Sequence, residues 1–171
     1  RGGWTGSLPL DDGDGLLLAN GELDSIASVG DLDGDGSPDI AVGSRSEAGG
    51  AGSVWVWTTP LGGVTNSSSL PVRLDGDAGW GAGIVGGGGD VDGDGHADLL
   101  VAAPDEGDIF LVHGPVTAAA ALSTRGTEVR GAGSGVSALQ IVGDMDGDGL
   151  DDVVVGSPNR SSTGRAWVLA G

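Results

Sequence analysis

The sequence contains no cysteine, no lysine and no tyrosine. The absence of cysteine excludes a disulfide framework and a thiolate metal site, although it does not identify the compartment. Seven basic residues, all of them arginine, stand against 25 acidic residues, so the net charge is −18. Nucleic acids and anionic membranes attract basic protein surfaces, and this charge therefore argues against both as partners.

Long hydrophobic runs are also missing. No apolar run approaches the ~20 residues that a membrane-spanning helix requires. No signal peptide is recognisable, and the chain starts at Arg1 without a methionine. A mature form and an excerpt of a longer protein are both compatible with such a start.

One nine-residue motif, D-x-D-G-D-G-x-x-D, occurs three times, beginning at Asp31, Asp90 and Asp144. Its carboxylates at positions 1, 3, 5 and 9 repel one another unless a cation lies between them, and hard oxygen ligands suit Ca²⁺. Glycine at position 6 permits a tight turn, so that the carbonyl of position 7 can point inward. The sequence thus predicts three calcium sites. The predicted ligands are Asp31, Asp33, Asp35, Ser37 and Asp39 in the first loop, Asp90, Asp92, Asp94, His96 and Asp98 in the second, and Asp144, Asp146, Asp148, Leu150 and Asp152 in the third.

The motif differs from an EF-hand loop, which has a bidentate glutamate at position 12 and a helix on each side. Position 12 is Val42, Val101 or Val155 here, inside apolar runs that favour strands. Solvated Asp-Gly turns are the alternative interpretation, but three copies in one register favour metal sites. The segment from Asp11 to Gly15 resembles the motif but lacks two of its carboxylates, which predicts a simple turn.

Each motif lies at the same place in a longer repeat, since the three first aspartates at 31, 90 and 144 are 59 and 54 residues apart. A small-residue segment precedes each loop and two β-branched or aromatic runs follow it, which predicts three strands per unit. A more polar run closes two of the units, at 70–74 and 127–130. Thr117–Leu122 has helical composition but is short, which predicts a loop or a single turn. Four short strands per unit favour an all-β fold of β-propeller blades over a solenoid.

The motif and its flanks resemble FG-GAP repeats, which form the blades of the integrin α-subunit propeller and of many bacterial surface proteins. The "GAP" element reads Gly43-Ser-Arg45, Ala102-Ala-Pro104 and Gly156-Ser-Pro158, whereas the "FG" element is poorly kept, with Trp80-Gly81 the best match. The resemblance implies a calcium-stabilised, non-enzymatic module at the cell surface or outside the cell, which recognises or adheres to a protein or glycan. A structural or assembly scaffold without its own ligand, or the non-catalytic part of a polysaccharide-processing enzyme, is the alternative.

We expect a single three-blade unit over residues 1–171. Its predicted parts are an outer strand completing a terminal blade (1–15), blade 1 (16–75), blade 2 (76–131) and blade 3 without its outer strand (132–171). Three blades are too few to close a ring. A homodimer whose copies exchange strands between N- and C-termini would give a six-bladed ring with two-fold symmetry. An excerpt of a longer repeat array is the alternative.

Nothing in the sequence marks an active site. His96 stands at loop position 7, where the backbone carbonyl is the predicted ligand, and His113 ends a strand. Neither lies beside a residue with the character of an activated nucleophile, so we expect no catalytic role for them.

The aromatic residues predict packing. Trp55, Phe110 and Trp167 occupy one repeat position, and a large residue that recurs once per blade is typical of packing between sheets. Trp80 is expected to fill the "FG" position. Trp4 has no equivalent in the other units and is a candidate contact with a ligand or another chain.

Overall fold

The computed structural model describes residues 15–19, 21–58, 63–133, 135–158 and 163–171. The strands in these residues are β1 (Gly15–Leu18), β2 (Ser25–Gly30), β3 (Asp39–Ser44), β4 (Ser53–Trp57), β5 (Gly63–Asn66), β6 (Val72–Asp75), β7 (Ile84–Gly87), β8 (Leu99–Ala103), β9 (Asp108–Val112), β10 (Ala120–Ala121), β11 (Thr127–Val129), β12 (Ala138–Val142), β13 (Asp152–Ser157) and β14 (Arg165–Leu169). The helical segments are single turns, namely α1 (Glu47–Gly50), α2 (Leu122–Arg125) and a 3₁₀ turn at Ser67–Ser69.

Three antiparallel sheets, one for each predicted repeat, form a row. The first contains β2, β3, β4 and β6, the second β7, β8, β9 and β11, and the third β12, β13 and β14. β7 packs against β2, and β12 packs against β7, so the second sheet lies between the other two. Among the described residues, no strand pairs with the outer side of β14. The predicted all-β fold is therefore confirmed, and its sheets are consistent with propeller blades.

Two strand pairings were not predicted. β1 pairs in parallel with β5 as a separate two-stranded sheet. β10 pairs in parallel with β6 at the edge of the first sheet. Because β10 follows β9 in the chain, this pairing joins a segment after the second sheet's third strand to the first sheet. The predicted loop or turn at Thr117–Leu122 thus contains a short strand, and α2 begins only at Leu122. The outer strand predicted within residues 1–15 lies outside the described residues except for Gly15, and Trp4 lies outside them as well.

Alternation along the strands produces two hydrophobic cores, one on each face of the second sheet. Leu99 and Val101 of β8 pack towards the first sheet, whereas Leu100 and Ala102 pack towards the third. Successive side chains of a strand point to opposite faces, so a strand covered on both faces is apolar at every position. This is why every residue of β8 is buried.

The aromatic repeat position faces the preceding sheet. Phe110 lies in the core between the first and second sheets, and Trp167 packs against the core between the second and third. Trp80 stacks on Phe110 with ring centroids 4.8 Å apart. The predicted packing between sheets is confirmed for Phe110 and Trp167, whereas Trp55 is buried on the face of the first sheet that is turned away from the second.

Gly43 of the first "GAP" element marks a close approach between backbones. A Cβ at this position would lie 2.0 Å from the carbonyl oxygen of Gly83, so only glycine fits without displacement of the backbone. Ser25 joins the same two sheets, because its hydroxyl donates to the Gly83 carbonyl at 3.1 Å and accepts from the Val85 N–H at 2.9 Å. No helix in the described ranges has the length and apolar character needed to cross a membrane.

Candidate metal centres

Each nine-residue motif forms the loop between the first two strands of a sheet. The loops connect β2 to β3, β7 to β8 and β12 to β13, and each pair of strands is antiparallel. The carboxylates of each loop accept hydrogen bonds from the loop's own backbone, in nearly the same pattern in all three copies.

The aspartate at position 1 holds the turn of its loop. Its Oδ1 accepts the N–H of position 4 at 2.9, 2.8 and 2.5 Å, and its Oδ2 accepts the N–H of position 6 at 2.9, 2.8 and 2.9 Å, in chain order. The position-6 glycines have φ values of +90°, +90° and +97°, which confirms the predicted need for glycine there. In the third loop these N–H groups, first that of Gly147 and then that of Gly149, lower the pKa of Asp144.

The next two carboxylates continue this pattern. Oδ1 of the position-3 aspartate accepts the N–H of position 5 at 3.0, 3.2 and 3.1 Å. Oδ1 of the position-5 aspartate accepts the N–H of position 7 at 2.8, 2.8 and 2.9 Å. Position 7 therefore contributes its backbone N–H, and not its side chain, to the hydrogen bonds of the loop. This explains how serine, histidine and leucine can all occupy it (Ser37, His96 and Leu150).

The position-9 aspartates, Asp39, Asp98 and Asp152, are at most 1 % exposed. Their Oδ2 atoms accept the N–H of position 2 at 3.0, 2.8 and 2.8 Å. In the second and third sheets Oδ1 also accepts an N–H from beyond the third strand, that of Gly114 at 2.9 Å or Gly171 at 3.2 Å. This residue consequently ties the loop to the body of its sheet.

Burial of these carboxylates without a compensating cation destabilises their ionised form. Loss of hydration raises the pKa of Asp39 and Asp98 above the usual range of a carboxyl group. Oδ1 of Asp39 is also buried without a hydrogen-bond partner among the described residues. A divalent cation in the loop would stabilise the ionised form of such carboxylates, so the donor set fits Ca²⁺.

The structure gathers most of the predicted ligands. Their ligand atoms lie within 4.8 Å of one another in three groups, Asp31 with Asp33 and Asp39, Asp90 with Asp92 and Asp94, and Asp144 with Asp146 and Asp152. Asp35 and Asp148 at position 5 are not members of these groups. Asp98 belongs to a fourth group, with Asp92 and His113.

His113 is a residue of this region that the sequence interpretation missed. Its Nδ1 lies 3.0 Å from Oδ2 of Asp92 and 3.6 Å from Oδ2 of Asp98, and its side chain is 29 % exposed. The pairing of the strands on either side could have indicated that His113 lies beside the second loop. Leu99 pairs with Val112, so the residue that follows Val112 must lie close to the end of the loop that precedes Leu99.

The three loops also contact one another across the sheets. The N–H of Ala97, at position 8 of the second loop, donates to the carbonyl of Asp31 at 3.4 Å. The N–H of Asp151, at position 8 of the third loop, donates to the carbonyl of Asp90 at 3.0 Å, and the Asp90 N–H donates in return to Oδ2 of Asp151 at 2.9 Å. The loops therefore form a continuous series along one rim of the row of sheets.

Comparison with known proteins matches these repeats to one family. The FG-GAP repeat family matches residues 25–57, 82–121 and 141–169, and each range contains one of the three loops. The chain is 36 % identical over 163 residues to integrin alpha-6 of Homo sapiens, which covers 89 % of this chain and 14 % of that protein. It is 34 % identical over 155 residues to integrin alpha-7 of Homo sapiens, which covers 84 % of this chain and 13 % of that protein. The chain thus spans about one seventh of the length of these relatives.

Proposed function

The chain belongs to the FG-GAP repeat family, and from this premise we propose that it is a calcium-stabilised β-propeller module for recognition or adhesion at the cell surface or outside the cell. The observation that carries the proposal is the threefold occurrence of one loop, with the same carboxylate-to-backbone hydrogen bonds and a cluster of three ligand groups in each copy. The proposed ligands of the ions are the motif aspartates at positions 1, 3, 5 and 9 and the carbonyl of position 7. The proposed role is non-enzymatic, since the neighbouring carboxylates that resemble a pair of catalytic acids are the proposed calcium ligands.

Calcium binding would stabilise the fold directly. Four neighbouring carboxylates, one of them buried, oppose folding of each loop, and an ion that binds only the folded loop contributes its binding free energy to folding. At a free calcium concentration 100 times the dissociation constant, each site adds about 2.7 kcal/mol. For a domain of this size that corresponds to roughly 5–10 °C in melting temperature per site.

Thermal unfolding tests this proposal. We expect the melting temperature to fall by many degrees when EDTA replaces calcium, and to recover when calcium is added in excess. Magnesium at the same concentration is the control, because its smaller octahedral coordination sphere is a poorer match to four carboxylates and a carbonyl. Identical unfolding curves in calcium and in EDTA would contradict calcium stabilisation.

We further propose that the ring is completed by a second copy of the chain. Both ends of the row leave apolar side chains uncovered in the described residues, with Ile26 of the first sheet 70 % exposed and Val168 of the third 61 % exposed. The outer side of β14 is an unpaired sheet edge in the same residues, and such an edge is a template for another strand. A second copy would cover both faces and supply the missing strand, giving six blades.

The mass in solution tests ring completion. One chain has a mass of 16.5 kDa, so light scattering in calcium should give twice that value if two copies close the ring. A mass equal to one chain would contradict the dimer and favour a ring built from further repeats of a longer chain.

The proposed ligand is a protein or a glycan. Integrin alpha-6 and integrin alpha-7 support a recognition role only by similarity, since the chain spans a small part of each. Protein and glycan arrays with and without calcium test this role. Binding that requires calcium would support recognition, and absence of binding from arrays probed with the assembled ring would favour a scaffold.

A further inference from the structure

The second loop differs from the other two in the residue that follows the third strand of its sheet. The pairs Ile40–Trp57, Leu99–Val112 and Val153–Leu169 are equivalent, because each joins the residue after loop position 9 to the end of the third strand. The next residue is Thr58 in the first sheet and Ala170 in the third, but His113 in the second. Only the second loop therefore has an imidazole beside its carboxylates.

The imidazole nitrogen is placed as a ligand atom would be. Nδ1 of His113 is buried and makes no hydrogen bond among the described residues, although carboxylate oxygens lie 3.0 and 3.6 Å away. Ligand atoms at the corners of a tetrahedron with bonds of about 2.1 Å are about 3.4 Å apart, and these two distances lie on either side of that value. One of the oxygens belongs to Asp98, whose side chain is fully buried.

The grouping of carboxylates changes accordingly. In the first and third loops position 9 lies with positions 1 and 3, as in Asp31, Asp33 and Asp39. In the second loop position 9 lies instead with position 3 and the imidazole, whereas Asp90 groups with Asp92 and Asp94. The second loop thus offers a compact set of one nitrogen and two oxygens, which shares Asp92 with its group of three carboxylates.

We propose that the second loop binds Zn²⁺, or a similar transition-metal ion, through Asp92, Asp98 and His113, with water in the remaining position. Imidazole nitrogen suits zinc and related ions, whereas calcium takes oxygen ligands, so the nitrogen gives this loop a preference that the other two lack. The proposal rests on the proposed metal-binding role of the three loops. It adds a second class of metal to the chain and assigns it to one site.

Metal content after dialysis tests the proposal. The full chain is saturated with calcium, dialysed against micromolar zinc in calcium buffer, and analysed for both metals. We expect one zinc ion per chain and a fall from three calcium ions to two. His113→Thr, which copies the residue of the first sheet, should retain three calcium ions and no zinc. His96→Ala is the matched control, because it removes only the side chain of the other histidine, whose place in the loop is taken by its backbone, and this variant should retain zinc.

The wild-type chain also provides a test that needs no variant. In its NMR spectrum zinc should shift the ring signals of His113 more than those of His96. Absence of zinc from the wild-type chain, or equal zinc in wild type and His113→Thr, overturns the proposal. Zinc bound at His113 in a chain that retains no calcium supports the zinc site and contradicts the calcium function, so the two failures are distinguishable.

Discussion

The second and third sheets have similar strands but very different burial. β9 is buried at four of its five positions, whereas β14, the equivalent third strand of the third sheet, has no buried residue, although both are apolar runs at the same place in the repeat. Within the part of the chain that the structure describes, the second sheet has a neighbour on each face, whereas the third has one only on the face towards the second. The burial of a strand in this chain is therefore determined by its neighbouring sheets and not by its own composition.

The loops of the same two sheets do not differ in this way. Position 1 accepts the same two glycine N–H groups in the second loop and in the third, and position 9 accepts the same N–H of position 2. These bonds join residues at most seven positions apart, so the loop folds from local sequence. The loops are therefore stabilised by local contacts, whereas the packing of the sheets depends on contacts between residues that are distant in the sequence.

The largest expected effect comes from removal of a side chain between sheets. Leu99→Ala removes a fully buried residue of the second sheet and should lower the free energy of unfolding by about 2–5 kcal/mol. The matched change Leu169→Ala removes a leucine that is 38 % exposed, so we expect a loss of about 1 kcal/mol or less. Urea denaturation in calcium measures both. Equal losses would contradict the difference in burial.

The loops should respond alike in spite of this difference in packing. Asp33→Ala, Asp92→Ala and Asp146→Ala each remove the position-3 carboxylate of one loop, and each should lower the calcium content from three ions to two. At a free calcium concentration 100 times the dissociation constant the loss is about 2.7 kcal/mol of stability. Calcium content and thermal unfolding measure it. In EDTA this loss should disappear, and a calcium content of three in any of the variants would remove that loop from the proposed sites.

A methyl group tests the contact between sheets. Gly43→Ala places Cβ 2.0 Å from the Gly83 carbonyl oxygen, and relief of this overlap should cost about 1–3 kcal/mol. Gly156 is the equivalent residue of the third sheet, where a Cβ has its nearest neighbour, the Cβ of Ala138, at 3.6 Å. Gly156→Ala should therefore be neutral or stabilise by up to about 1 kcal/mol. Chemical denaturation of both variants checks the contrast, which fails if the two shifts have the same sign and size.

The smallest effect is expected from a surface ion pair that joins the first and second sheets. The Arg45 guanidinium lies 3.0 Å from Oδ1 of Asp105, and the side chains are 38 % and 52 % exposed. A double-mutant cycle with Arg45→Ala and Asp105→Ala should give a coupling of about 0.2–1 kcal/mol, because solvent and salt screen exposed charges. The coupling should decrease in high salt. A coupling well above this range would show that ion pairing contributes substantially to the junction.

Sequence reasoning located the loops and their strands but not the contacts between distant segments. The strand on each side of a loop is predictable, since alternation and turn residues are local signals. A place for His113 beside the second loop is not predictable from the sequence, since His113 lies 15 residues after Asp98 and the register of β8 and β9 brings them together. The parallel pairings of β1 with β5 and β10 with β6 join segments more than 40 residues apart, and short strands of this kind have no distinguishing pattern.

The sequence by itself determined the three loops, because each is built from hydrogen bonds between aspartates and glycines a few residues apart. It also determined the strand pattern, since β-branched and aromatic runs between such loops favour extended structure. The tertiary structure alone decided which faces are buried, because segments distant in the sequence must meet before Gly43 can approach Gly83 or Phe110 can stack on Trp80. It likewise decided that one of three similar loops lies beside an imidazole, since that proximity depends on strand register rather than on the motif.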